Sequence, residues 1–318
     1  MSSTDFNPLT LSINLDIWFA SYAVVVFDYI CTFGTEVTHA WPCPLTVGLV
    51  LFYLNRYLPF FDIVIYVRAV LYPLSSSKDC LWVFPLAIWM ATTGLLISEA
   101  IMLMRTYAIW GRRRLIFWVL AGLVAVVFGP MVGLLAWKTW LDLQYDSSKP
   151  SKPVGHAFQC WMQEASFNNL SSFCLLLFFM LIFVSESVIM ALTVIKAKQH
   201  LDKGSARWLF QFYQNGLIYC ACMLVLSLSN AIMALVAPPA YKTSFFPMQR
   251  ALHSVFCNRV FFLILKNRSL RNSRHLGHSG NDNTGTTMIF TSVHPETNDD
   301  IELSITSWQE RAETEWIR

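Results

Sequence analysis

Seven stretches of this chain are each long and apolar enough to fill a bilayer, and that fact removes most folds from consideration. They cover approximately residues 16–34, 45–71, 82–107, 115–137, 170–195, 209–236 and 247–265, and a spanning helix needs about 20 mainly apolar residues. Two examples are "LIFWVLAGLVAVVFGPMVGLLAW" and "SSFCLLLFFMLIFVSESVIMALTVI". In lipid every backbone polar group must be satisfied within its own segment, so such runs become helices. The expected fold is all-α: a polytopic seven-transmembrane-helix bundle over 16–271, with a short extracytoplasmic N-terminus at 1–15. From Asn272 the text turns to "NSRHLGHSGNDNTGTTMIFTSVHPETNDD", too poor in apolar residues to offset its ordering entropy. A disordered cytosolic tail over 272–318 is expected.

Composition agrees with this class. Hydrophobic residues make up 55% and charged residues 14%, against roughly a quarter charged in soluble domains. A net charge of +3 is too small to point to nucleic acid. No basic start precedes the first apolar run, so no removable signal peptide is expected and the first helix itself serves for insertion.

Lysine and arginine set the expected orientation. One side carries Arg105, Arg112, Arg113, Arg114, Lys196, Lys198, Lys203, Arg207, Lys266, Arg268, Arg271 and Arg274; the other carries Lys78, Lys138, Lys149, Lys152 and Lys242. Arg68 and Arg250 stand at helix ends on that second side and do not reverse the bias. The N-terminus is therefore expected outside and the C-terminus in the cytosol. The basic run Arg112, Arg113, Arg114 suits topology and lipid headgroups, with a protein partner as the other use.

The second apolar segment is interrupted by "LFYLNRYLPFF". A centrally placed Arg56 costs about 2.5–3.5 kcal/mol on insertion scales, so it is expected to face the bundle and be paired. Asp28, Glu99 and Glu186 are the expected acidic partners. Pro59 has no N–H, which deprives the Asn55 carbonyl of its usual helical partner and favours a kink. Asp28, Asn55, Arg56, Tyr57, Glu99 and Glu186 thus form a candidate intramembrane polar network. It reads either as structural glue between helices or as a ligand pocket, ion path or switch.

Eight cysteines do not make a disulfide scaffold here. Cys31, Cys174, Cys220, Cys222 and Cys257 lie in apolar helices, where small buried side chains are expected. Cys220 and Cys222 point to different sides of one helix, which argues against a shared metal. The histidines His39, His156, His200, His253, His275, His278 and His294 form no metal pair at helical spacing within the membrane, and no strand-borne serine elbow appears. Neither an enzyme nor a bound metal or cofactor is expected.

The order "YAVVVFDYICTFGTEVTHAW" followed by "LFYLNRYLPFF" resembles a fungal family of seven-helix membrane proteins defined by a domain of unknown function near the N-terminus. The positions carrying the resemblance are Asp28, Tyr29, Glu36, Trp41, Leu51, Phe52, Asn55, Arg56 and Tyr57, a block of about 20–65. "RTYAIW" closing the third helix and Arg259 in the seventh are similar too. "WPCPLT" departs from the basic first cytosolic loop of that family. The resemblance implies a fold and supplies no activity.

Cys80 and Cys160 both precede helices on the outer side. Their placement is similar to the outer-loop disulfide of G-protein-coupled receptors, which implies a bridge; two free thiols are the other reading. Other receptor signatures are missing: "MRTYAIWGRRR" stands where Asp-Arg-Tyr would, the sixth helix has no internal proline, and "SVFCNRVFFLILKNR" holds no Asn-Pro-x-x-Tyr. A microbial rhodopsin needs a lysine in the last helix, and that helix has none.

Two functions fit. The first is a receptor-like sensor in the plasma membrane or another secretory-pathway membrane, needing a small-molecule or lipid ligand and a cytosolic signalling partner. The alternative is a transporter or lipid-handling protein with a charged intramembrane path.

Overall fold

The computed structural model describes residues 8–71, 77–147, 169–201, 207–238 and 241–278. These form seven helices and, among the described residues, no strand: α1 Pro8–His39, α2 Val47–Leu71, α3 Ser77–Ile109, α4 Arg114–Ser147, α5 Asn169–Leu201, α6 Arg207–Val236 and α7 Phe246–His278. Several outrun their apolar stretches. The first continues five residues past the expected end at 34, to His39, which changes the pairing of Arg56 below. The last continues into residues 272–278, assigned above to the tail. Arg268, Arg271 and Arg274 stand in its final turns, where cations favour a helix C-terminus.

The polarity is that of a protein with an apolar solvent. Large apolar side chains cover the outside, among them Phe27 at 65%, Trp118 at 71% and Leu115 at 75% exposure. Asp28, Asn55, Arg56, Asp62, Glu99, Glu186, Arg250 and His253 are buried within. In water the first set would be costly and the second wasteful; in a bilayer both are stable. Six helices, α1 to α6, are long and apolar enough to cross a membrane, as in a multi-pass membrane protein.

The seventh differs for a visible reason. It packs against α1, α2, α3 and α6, and its inward side carries Gln249, Arg250, His253, Ser254, Cys257 and Asn258. That i, i+3, i+4 spacing forms one polar stripe on a helix.

Apolar layers lock this arrangement. Phe52 of α2 stacks on Phe261 of α7, with ring centroids 4.5 Å apart. Leu95, Val127, Met131, Phe179 and Ile182 join α3, α4 and α5. Thr46 caps α2 by accepting from the Leu49 N–H at 3.3 Å. The α3–α4 turn uses left-handed backbone at Gly111 and Arg112 and sets Arg113 and Arg114 exposed beside it.

Cys31 and Cys222 are exposed on the bundle rather than buried as expected; a thiol is apolar enough to face lipid. Cys160 lies outside the described residues, and the expected bridge to Cys80 lies there with it. The same holds for the tail beyond His278.

Candidate functional site

Arg56 is fully enclosed, and its partner is Glu36 rather than Asp28, Glu99 or Glu186. The Arg56 Nε donates to Glu36 Oε2 at 2.7 Å. Glu36 also accepts from the Tyr57 hydroxyl at 2.8 Å and from Trp41 Nε1 at 3.3 Å. The guanidinium lies 4.8 Å from the Tyr29 ring centroid and 5.1 Å from that of Phe262. Because α1 stays helical past residue 34, Glu36 projects into the bundle instead of standing in a loop. One carboxylate thus ties the end of α1 to α2 through a charge-assisted bond.

Asp28 pairs instead with Arg259 of α7, at 2.7 Å. Asn55 lies one layer further in. Its amide donates to the Ser254 carbonyl at 3.1 Å and to Asn258 Oδ1 at 3.0 Å, while Ser98 donates to its Oδ1 at 2.5 Å. So Asn55 joins α2, α3 and α7.

Glu99 and Glu186 belong to a third group. His253 Nε2 lies 2.8 Å from Glu186 Oε1 and 3.9 Å from Glu99 Oε1. Ser185 donates to Glu99 Oε2 at 2.9 Å, and Ser227 to Glu186 Oε2 at 2.5 Å. Gln249 donates to Ser227 at 2.6 Å and accepts from Asn230 at 2.8 Å. Looking for histidines along single helices cannot find this trio, whose members come from α3, α5 and α7. One atom of each lies within 4.8 Å of the others, which gives them the reach to hold a metal ion.

A cavity of about 220 Å³ lies elsewhere. Its walls come from the start of α1, the end of α2, the first half of α3, the end of α4 and the starts of α5 and α7, so it sits at the end of the bundle where α1 begins. Trp18 stacks on Tyr66 at 3.7 Å between centroids, and Phe178, Phe179 and Phe246 form other parts of the wall. Asp62, Lys138 and Arg250 also line it. Arg250, read above as a helix-end cation, is wholly buried. Its Nε stands 3.6 Å from Asp62 Oδ2, too far for a hydrogen bond. Neither the Arg250 guanidinium nor the Asp62 carboxylate has a hydrogen-bond partner among the described residues. The guanidinium lies against Gly94, where a β-carbon would collide with it.

Residues 18–61 match the model of a family of unknown function (DUF6533). No curated protein and no solved structure matches the chain. The matched segment runs from Trp18 on α1 to Phe61 on α2 and contains Asp28, Tyr29, Glu36, Trp41, Asn55, Arg56 and Tyr57, so it coincides with the Glu36 clasp.

Proposed function

We propose that this is a receptor-like sensor of seven spans, with its N-terminus outside and its C-terminus cytosolic, that takes a small acidic amphiphile into the 220 Å³ cavity. The observation that carries the reading is Arg250: a buried cation with five N–H donors and, among the described residues, no hydrogen bond, facing Asp62 at 3.6 Å and lining a largely apolar cavity. An unsatisfied buried donor costs about 1–3 kcal/mol, more when charged, and a ligand carboxylate relieves that. The Arg250 guanidinium, without a hydrogen-bond partner among the described residues, favours an anionic head. The volume exceeds the ~150 Å³ that holds a benzene, so a ring or short chain fits beside the head.

The twelve-to-five bias of basic residues supports this orientation, which makes the cavity an outer mouth. The exposed Arg113 and Arg114 then face the cytosol, where a signalling partner or lipid headgroups would meet them. The polar layers along α7 favour a second reading, a transporter or lipid-handling protein that passes an ion or ligand inward.

Thermal shift of the purified full chain against matched series of aromatic and aliphatic acids, alcohols and amines tests the pocket. Stabilisation by acids, lost in Arg250→Gln and retained in Arg56→Lys, is expected. Equal stabilisation of wild type and Arg250→Gln by the same acids would refute it. Flux of a stabilising acid across sealed vesicles would select the transporter reading.

A further inference from the structure

We propose that Glu99, Glu186 and His253 bind one divalent transition-metal ion, with zinc(II) the best match to the donor set. Asp28, Glu36 and Asp62 each face an arginine: Arg259, Arg56 and Arg250. Among the described residues Glu99 and Glu186 have no such cation, and the basic side chain they share is His253. With both carboxylates ionised, a protonated imidazole still leaves one negative charge in the trio, to be offset by a further proton or by a metal ion. Uncompensated charge in a membrane interior is strongly destabilising. A divalent ion with a neutral imidazole neutralises the set.

Geometry points the same way. Ligand atoms around a tetrahedral zinc ion at ~2.1 Å stand about 3.4 Å apart. The separations from His253 Nε2, 2.8 Å to Glu186, which is also hydrogen-bond length, and 3.9 Å to Glu99, bracket that value, and the three ligand atoms lie within 4.8 Å of one another, so a small closure of the two carboxylates completes the site. Each carboxylate turns its Oε1 toward His253 and has its Oε2 held by a serine, Ser185 or Ser227. That is how supporting hydrogen bonds orient metal ligands. Ser227 is itself held by Gln249.

Beside the trio lies a second cavity of about 20 Å³, lined by all three side chains and by Cys220 and Cys257. It has room for a single ion or water. Three protein ligands leave a fourth position, which a water or one of these thiols can take. The ion would tie α3, α5 and α7 together below the larger cavity, a role independent of what that cavity binds.

The test uses the full chain in detergent, stripped with chelator and titrated with zinc(II) and, separately, cobalt(II). One equivalent per chain is expected, with a raised melting temperature and visible cobalt absorption of a low-coordinate site. Glu186→Gln and His253→Gln, which nearly keep side-chain shape, should lose the bound equivalent. Ser185→Ala should keep it with affinity 10- to 100-fold weaker. Wild type that gains neither metal nor thermal shift holds a shared proton only, and the proposal fails. It fails equally if Glu186→Gln and His253→Gln, checked as monodisperse, bind zinc like wild type. Should both variants aggregate, the wild-type cobalt spectrum decides, since absence of imidazole and carboxylate ligation in it excludes the site.

Discussion

The Ser254 hydroxyl donates to the backbone carbonyl of Asn55 at 2.7 Å, and this bond answers the gap that Pro59 opens in α2. With no N–H at position 59, the Asn55 carbonyl has no partner within its own helix. A serine on α7 supplies the missing donor. The Asn55 side chain returns a bond to the Ser254 carbonyl, so the two helices are joined in both directions at the break.

Ser254→Ala should therefore destabilise the bundle by about 1–3 kcal/mol, the range for an orphaned buried acceptor. In a Pro59→Ala background the helix regains its own N–H, and the same substitution should cost less than ~0.5 kcal/mol. A double-mutant cycle on unfolding in detergent measures the difference. Equal losses in both backgrounds would show that Ser254 does not serve that carbonyl.

Arg56→Leu should strand Glu36 and lower stability by about 3–5 kcal/mol, as when one member of a buried pair is removed. Replacing Glu36 with Leu as well should recover much of that loss. Neutralising Asp28, Glu99 or Glu186 beside Arg56→Leu should recover nothing, because those carboxylates have other partners. Expression and thermal midpoint of the four double variants provide the measurement.

How much of this was legible beforehand follows from what single-helix arguments can see. Apolar length gave the helices, and the energetic penalty of Arg56 in a bilayer placed it inside. Its partner was not legible, because the apolar run ends near 34 while α1 stays helical to His39 and carries Glu36 inward. Asp62 hides in "FFDIVIY", and Arg250 stands so near a helix start that it reads as an interfacial cation. His253 gains meaning only from carboxylates on two other helices, contacts no spacing rule along α7 can show. A stripe at 249, 250, 253, 254 and 258 was the available signal that α7 is the polar hub.

The Asp28–Arg259 pair should contribute less than the Glu36–Arg56 pair. Arg259 keeps 47% of its side chain outside the protein while Asp28 is buried, so replacing it removes fewer protein contacts than replacing Arg56, whose guanidinium is enclosed between Glu36, Tyr29 and Phe262. Arg259→Gln should lower the thermal midpoint by less than half as much as Arg56→Gln. Comparison of the two variants under one detergent condition checks this, and a larger effect at Arg259 would mean that the pair is shielded by more than the protein itself.

A side chain at Gly94 should displace the Arg250 guanidinium. The guanidinium lies beside Gly94 of α3, in the space that a β-carbon would fill, and Gly94 sits within a helix where alanine is otherwise favoured by about 1 kcal/mol. Intrinsic propensity and packing therefore predict opposite signs for Gly94→Ala. The colliding atoms are the end of a flexible side chain beside a cavity, so the cost is that of moving a buried guanidinium away from Asp62, 3.6 Å from it, into that cavity; packing should win on that account. Gly94→Ala should lower the melting temperature and weaken any acid that stabilises wild type at least tenfold. In an Arg250→Ala background the collision is gone, and Gly94→Ala should then raise the melting temperature slightly, as helix propensity alone dictates. Measured melting of the four proteins in the cycle gives the sign directly. Destabilisation of the same size with and without Arg250 would place the clash elsewhere on α3 and remove the basis for setting the guanidinium at the cavity wall.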